Sequence, residues 1–223
     1  MGNKVYEIIC EDNVCSECKK YGGIFSEKPK HIPPFHPNCR CKMIETEEIL
    51  EDVFGNLKEF EGDKKTAYTD TKGKVTIGYG SMFNNVERFK KLPLYYQNRL
   101  ATPEEKEEEF YMLRDKVVRR GYLELPTPEM KALAMEHLKG DLMSVRRKFK
   151  DFDNLPKNAQ LVILDMEYNM GATKFQDKEG KWPHFFEAIG KRDWFLAGNE
   201  SVSPDVQLKR NLWRKNMLHS IEK

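Results

Sequence analysis

The chain has 223 residues, of which 39% are hydrophobic and 33% are charged. This length suits one sizeable domain or two small ones, each with its own hydrophobic core. No apolar run approaches the roughly 18 residues that a membrane-spanning helix needs, so we expect no membrane span. The formal net charge of +2 is nearly balanced and does not favour nucleic acid as a partner. The first twelve residues contain acids where a signal peptide needs an apolar core, so we expect no signal peptide.

All five cysteines lie within the first 41 residues, and four of them form two groups. Cys15 and Cys18 make a C-x2-C pair, and His36, Cys39 and Cys41 follow about twenty residues later. Paired groups at this spacing are typical of a small zinc-binding module, because four sulfur or imidazole ligands can converge tetrahedrally on the ion. We therefore predict a zinc-binding module over residues 1–45.

Two alternatives for the cysteines stay open, namely disulfides and uncross-linked thiols. The odd number of cysteines and the expected absence of a signal peptide weigh against disulfides. Cys10 falls outside both groups, and we interpret it as a buried or free thiol.

The same segment resembles the C-terminal end of phage minor head proteins of the Mu F-like type. The resemblance rests on C-x2-C, a short turn with two glycines, and the run His36-Pro-Asn-Cys39-Arg-Cys41. It implies a phage or prophage origin and attachment to a virion component through residues 1–45.

A helix and a hairpin follow the cysteine segment. Acidic residues from Glu45 to Glu51 lead into an apolar stripe with helical spacing, and we expect Thr46 to be the N-cap. The stripe ends at Glu61, and Gly62 is the stop signal. Two short β-prone runs follow, joined by a turn in which Gly73 supplies the positive φ.

Glu61, Asp70 and Thr76 occur in the pattern E-G-x5-Y-x-D-x5-T-I-G-x-G, which resembles the catalytic region of the phage T4-type lysozymes. The resemblance implies that Glu61 is the general acid, and that Asp70 and Thr76 hold and activate the attacking water. It implies hydrolysis, with inversion, of the β-1,4 bond between N-acetylmuramic acid and N-acetylglucosamine in bacterial peptidoglycan, with no metal in that step. Ser81 departs from the family, which often has His there. Glu61 is expected against apolar neighbours, and Asp70 in a more polar setting.

The resemblance also implies an α+β fold, mainly helical and two-lobed, with a small β-sheet in the N-terminal lobe. The lysozyme domain would cover 46–223, with a small lobe over about 46–125 and a connecting helix and large helical lobe over about 126–223. Thr127-Pro128 begins the connecting helix, and Thr102 to about Arg120 forms an inserted helix.

Three further residues are implied as substrate contacts, namely Tyr68, Asn169 and Arg210. Asn169 closes the most apolar helix, which Gly171 stops, and the alternative is that Asn169 is a helix cap. Arg210, with Arg214 next, lies on the last helix and could meet a carboxylate; the alternative is a solvated basic face.

We expect a monomeric peptidoglycan hydrolase, made in the host bacterial cytoplasm, that acts on the wall after release or is carried in the virion. The main alternative is a virion-associated head or assembly protein whose lysozyme domain is an accessory wall-opening or wall-binding part. An inactive wall-binding protein, a lytic transglycosylase and a nucleic-acid-binding module are weaker hypotheses. Intact Glu61, Asp70 and Thr76 argue against an inactive site, and the water-holding pair favours hydrolysis over transglycosylation.

Overall fold

The computed structural model describes residues 4–10, 16–177 and 182–222, and in these residues the chain is a mixed α+β protein. The predicted α+β class is confirmed, and the two-lobed lysozyme fold stays a prediction. The chain divides into two compact units: a sheet unit, Asn3–Glu48 and Leu57–Glu136, and a helical unit that includes Ile49–Asn56 and His137–Lys223. The boundaries between the units fall within two helices, α2 and α5.

The elements up to Glu136 lie mainly in the sheet unit. In chain order they are β1 (Lys4–Ile9), α1 (Ser16–Lys19), β2 (Gly23–Phe25), β3 (Lys42–Glu47), α2 (Glu48–Glu61), β4 (Lys64–Thr69), β5 (Val75–Gly78), β6 (Ser81–Phe83), α3 (Val86–Lys90), β7 (Tyr95–Tyr96), β8 (Arg99–Leu100), α4 (Pro103–Arg114), β9 (Arg120–Glu124) and the start of α5 (Thr127–Lys148).

The helical unit contains the rest of the described elements. After the second half of α5 they are a 3-10 helix (Phe152–Asn154), α6 (Lys157–Met170), α7 (Pro183–Lys191), α8 (Trp194–Glu200) and α9 (Leu208–His219). The most apolar of these helices, α6, is buried along most of its length, as its sequence predicts. Its C-cap is Gly171 at φ 80°, which confirms the predicted stop.

Two antiparallel sheets make up the sheet unit. The first has three strands in the order β2-β1-β3, and the second has six in the order β6-β5-β4-β9-β7-β8. The β4–β5 hairpin therefore lies inside the larger sheet, with β6 on one side and β9 on the other. Its inward residues, Ala67, Val75 and Ile77, are almost fully buried, which fixes the register of the hairpin.

The helix predicted from Thr102 is confirmed but is shorter than predicted, and its being an insertion stays a prediction. It runs over Pro103–Arg114, and its Thr102–Glu105 capping box satisfies backbone donors at both residues. The chain then turns into β9 at Arg120 instead of continuing as helix. Pairing of β9 with β4 is a long-range contact that no local sequence pattern announces.

Thr46 is not a helix N-cap. It lies on β3 opposite Val5 of β1, 3% exposed, and its hydroxyl donates to Met135 Sδ at 3.9 Å. Helix α2 begins two residues later with Glu47 at the N-cap position, which has no side-chain cap bond. The pairing of β1 with β3 therefore outweighs the local capping preference of Thr46.

The N-terminal strands pack onto other parts of the sheet unit through charged side chains. Lys42 Nζ lies 2.8 Å from Glu129 Oε2 near the start of α5, and Glu7 forms an ion pair with Lys131 one turn further on. The Arg40 guanidinium lies 4.1 Å above the Tyr95 ring. The first three strands are thus held to the N-terminal turns of α5.

Among residues 4–10, 16–177 and 182–222, no helix combines the length and the apolar character needed to cross a membrane.

Candidate active site and metal centre

The end of α2 places the carboxyl group of Glu61 against the backbone of Gly80. Helix α2 ends at Glu61 because Gly62, at φ 70°, turns the chain and returns its N–H to Lys58 O at 3.2 Å. A Cβ at Gly80 would lie 3.5 Å from Glu61 Oε2, and Gly80 has a φ of 88° that disfavours any side chain. Glu61 is half-buried. The Glu61 carboxyl group therefore lies within van der Waals reach of Gly80 at this edge of the hairpin.

Asp70 organises the turn between β4 and β5. Its Oδ1 accepts the N–H groups of Lys72 at 2.8 Å and Lys74 at 2.7 Å. The N–H of Gly73, at φ 75°, donates to Asp70 O at 3.0 Å, which confirms the predicted glycine turn. Both side-chain bonds use Oδ1, so they do not occupy Oδ2.

Thr76 lies on β5 directly opposite Tyr68 of β4. Directly paired residues of antiparallel strands project to the same face of a sheet, so these two side chains are neighbours. Thr76 is 3% exposed, and its hydroxyl donates to Lys74 O at 3.2 Å. The hydroxyl hydrogen thus points toward Lys74 O, and the hydroxyl oxygen can still accept a hydrogen bond.

The pKa of Tyr68 is affected by both candidate carboxylates. Burial raises the pKa of the Tyr68 phenol, and the charges of Glu61 and Asp70 raise it further, because a phenolate would be repelled by both. One phenol therefore lies within electrostatic reach of the helix-end acid and the turn acid. The sheet unit thus brings Glu61, Tyr68, Asp70 and Thr76 together around the β4–β5 hairpin.

Ser81, the departure from the family pattern, is 7% exposed and pairs with Ile77 at the start of β6. It extends the sheet beyond Gly80, so the hairpin edge is supported by a third strand.

Arg210 belongs to a buried ion cluster of the helical unit. Its Nε and Nη2 donate to Asp165 Oδ1 at 3.0 and 2.8 Å, and Arg214 Nε donates to Asp165 Oδ2 at 2.6 Å. Arg210 is 3% exposed and Arg214 is fully buried, so the alternative of a solvated basic face is wrong for both residues. Sequence reasoning did not identify Asp165 as their common partner.

Asn169 is exposed at the last turn of α6, and its Oδ1 accepts from Arg214 Nη2 at 3.4 Å. The C-cap of α6 is Gly171, so Asn169 is not the cap. The hydrogen bond from Arg214 links the Asn169 side chain to the ion cluster. Substrate contact by Asn169 and Arg210 stays a prediction.

A second candidate site is the cysteine cluster of the sheet unit. The sulfurs of Cys18, Cys39 and Cys41 all lie within 4.8 Å of one another and can hold a metal ion. Cys18 Sγ and Cys39 Sγ are 3.8 Å apart, and two sulfurs at ~2.3 Å from a tetrahedral zinc ion are separated by about the same distance, roughly 3.8 Å. Three of the predicted ligands therefore fit a thiophilic ion.

The other two predicted ligands are His36 and Cys15. His36 Nε2 lies 3.1 Å from Cys18 Sγ, so the histidine is beside the cluster. Cys15 lies outside the described residues. Burial, and then the hydrogen bond with Cys10, raise the pKa of the Cys41 thiol to about 12. A metal ion is what would hold such a thiol in its thiolate form.

Cys10, which the sequence left outside both groups, lies at the cluster. Its Sγ is 2.9 Å from Cys41 Sγ. The signal that would have found it is the pairing of β1 with β3, which neither local spacing nor composition reveals.

In comparisons with known proteins, neither a protein-family model nor a curated protein matches this chain.

Proposed function

We propose that this chain is a peptidoglycan hydrolase that cleaves the β-1,4 bond between N-acetylmuramic acid and N-acetylglucosamine by acid/base hydrolysis with inversion. The arrangement that carries the proposal is the β4–β5 hairpin, which pairs Thr76 with Tyr68 and holds Asp70 in its turn, with the Glu61 carboxyl group beside Gly80. Glycosidic hydrolysis requires two carboxyl groups, one to protonate the leaving oxygen and one to activate water, and Glu61 and Asp70 would supply them.

Glu61 is the general acid in this proposal. It donates its proton to the glycosidic oxygen as the C–O bond breaks, so the leaving sugar departs as a neutral hydroxyl. Its half-buried position at the end of α2, against the backbone of Gly80, holds the carboxyl group in one place. Tyr68 borders both carboxylates and is the candidate platform for a sugar ring.

Asp70 and Thr76 position and activate the water. The Lys72 and Lys74 amides hold Asp70 Oδ1, which leaves Oδ2 to take a proton from the water. The Thr76 hydroxyl donates to Lys74 O, so its oxygen accepts a hydrogen bond from the same water. An inverting pair needs roughly 6.5–9.5 Å between its carboxyl groups to admit that water.

The two other predicted substrate contacts, Asn169 and Arg210, belong to the helical unit. Asn169 is exposed and suits a direct hydrogen bond to the substrate. Arg210 is buried against Asp165, and we assign it a positioning role: it shares that carboxylate with Arg214, which in turn bonds Asn169.

We further propose that the cysteine cluster holds a structural zinc ion. Zinc would supply no chemistry to the hydrolysis; it would fix the segment between β1 and β3, which is too short to build a core of its own. For delivery, two routes stay open, namely release at lysis and attachment to a virion through residues 1–45. Mass spectrometry of purified particles separates these two routes.

The test of the hydrolase proposal compares Glu61→Gln with Glu59→Gln. Glu59 is an exposed acid on the same helix and serves as the matched control. Removing a general acid costs about 10²–10⁴ in rate, so muropeptide release from purified peptidoglycan should fall by that factor in Glu61→Gln and stay unchanged in Glu59→Gln. Equal rates in wild type and Glu61→Gln, with both folded by circular dichroism, would overturn the proposal.

A further inference from the structure

The pairing of the first and third strands carries an inference about Cys10. Strands β1 and β3 are antiparallel, with Ile8 opposite Met43 and Ile9 opposite Lys42. The next position in this register places Cys10 opposite Cys41. Directly opposite residues have neighbouring side chains, and the two sulfurs are in fact 2.9 Å apart.

The sulfur of Cys10 also faces the turn that carries Cys18. It lies 3.5 Å from Cys18 O, and a Cβ at Gly22 would come within 3.4 Å of it. The missing side chain of Gly22 therefore leaves space for the Cys10 sulfur beside the three-cysteine cluster. Strand pairing on one side and this turn on the other hold Cys10 at the cluster.

We propose that Cys10 is the fourth thiolate ligand of the metal centre, with Cys18, Cys39 and Cys41, so that a zinc ion is bound by four sulfurs. The inference rests on the proposed metal binding and names the ligand that completes it. His36 is then an outer partner, whose ring nitrogen lies 3.1 Å from Cys18 Sγ and hydrogen-bonds that sulfur.

The charge around the cluster fits an all-sulfur set. Four thiolates and one divalent cation carry two net negative charges, which need nearby cations. Lys19 follows Cys18 in the sequence, and Arg40 and Lys42 flank Cys41, with Lys42 also paired with Glu129. A metal bound in this way would tie the end of β1 to the start of β3 and to α1, so metal binding would contribute directly to the folding of the segment.

A disulfide between Cys10 and Cys41 is the competing outcome. It would use the Cys41 sulfur, so it excludes Cys41 as a metal ligand. The separation of 2.9 Å lies between a covalent bond of ~2.05 Å and the roughly 3.8 Å of two zinc-bound sulfurs, so this distance favours neither state. The experiment must therefore distinguish the two states.

The test titrates the full-length, reduced protein with Co²⁺, whose charge-transfer absorption counts bound thiolates. Wild type should show the spectrum of a four-sulfur tetrahedral site. Cys10→Ser should lose about a quarter of the charge-transfer intensity and bind at least about tenfold more weakly. His36→Asn and Cys15→Ser should keep the four-sulfur spectrum. An unchanged Cys10→Ser spectrum, or loss of a ligand band in His36→Asn or Cys15→Ser, would overturn the assignment.

A second measurement needs no variant. Alkylation of the zinc-loaded wild type, followed by peptide mass spectrometry, should find Cys10 protected and then reactive after chelation. Rapid alkylation of Cys10 in the zinc-loaded protein, or a Cys10–Cys41 disulfide in it, contradicts the proposal. A wild type that binds neither Zn²⁺ nor Co²⁺ refutes the metal centre itself, which is a separate result from failure of Cys10 alone.

Discussion

Asp165→Asn tests the ion cluster that underlies the helical unit. The carboxylate is 1% exposed and is the shared acceptor for the buried guanidinium groups of Arg210 and Arg214. Asparagine has nearly the same volume and keeps one acceptor oxygen, but it removes the negative charge. The substitution thus isolates the electrostatic contribution of the cluster from its packing.

Removing one partner of a buried ion pair typically costs about 3–5 kcal/mol, because the remaining charge stays buried without compensation. With a urea m-value of about 2–3 kcal/mol/M for a chain of this size, the unfolding midpoint should fall by roughly 1–2.5 M. The matched control is Asp153→Asn. The Asp153 side chain is 51% exposed and forms an ion pair with Arg146. A surface pair of this kind contributes about 0.2–1 kcal/mol.

Urea unfolding, followed by circular dichroism, compares the two variants with wild type. A midpoint for Asp165→Asn no lower than that of Asp153→Asn would refute the argument. It would mean that Arg210 and Arg214 do not depend on Asp165, and that Arg210 has no positioning role through it.

Two further predictions concern pH and glycine. Burial, and then the charge of Glu167, raises the pKa of Asp141 to about 7, whereas an unfolded Asp ionises near pH ~4. Between these pH values the folded state holds a proton that the unfolded state has released, so the free energy of unfolding should fall as the pH rises from about 4 to 7. In urea unfolding at several pH values, Asp141→Asn should flatten that fall. An unchanged pH profile would rule out Asp141 as its source. Gly80→Ala should destabilise the protein by about 1–3 kcal/mol and slow hydrolysis, because its methyl group would meet Glu61 in a positive-φ position. Gly55→Ala, at an exposed helical position with no atom near its new Cβ, should instead stabilise by about 0.5–1 kcal/mol in thermal unfolding, and two glycines with the same response would contradict this reading.

The elements that local sequence signals determine were predictable. Helix α2 stops at Glu61 because the glycine that follows ends the apolar stripe, and the hairpin turns at Asp70–Gly73 because Gly73 accepts a positive φ. The capping box at Thr102 is a local signal of the same kind. These features depend on neighbours within a few residues, which the sequence displays directly.

The features that depend on distant partners were missed or misread. Thr46 is of a residue type that is favoured at helix N-caps, but its pairing with Val5 makes it part of a strand. Cys10 has no neighbouring cysteine in the sequence, yet the same strand pair brings it to Cys41. Arg210 looks like a solvent-facing cation on a basic helix until Asp165, on another helix, accounts for its burial. In each case a contact between residues far apart in the chain overrides the local pattern.

The candidate catalytic residues fall between these two classes. The resemblance to the phage T4-type lysozymes named Glu61, Asp70 and Thr76. The hairpin puts Thr76 opposite Tyr68 and places Asp70 in the turn two residues beyond Tyr68. The hydrogen bonds that leave Asp70 Oδ2 and the Thr76 oxygen for water could not be read from the sequence, because they depend on the turn geometry.

The measurement that tests the central claim most directly is the anomeric configuration of the first product. Wild-type protein should act on purified peptidoglycan glycan strands in an NMR tube, with spectra recorded before the product mutarotates. Water attack activated by Asp70, with Glu61 as acid, predicts that the new N-acetylmuramic acid reducing end appears first as the α-anomer. A β-anomer, a 1,6-anhydro product or no cleavage would contradict the account.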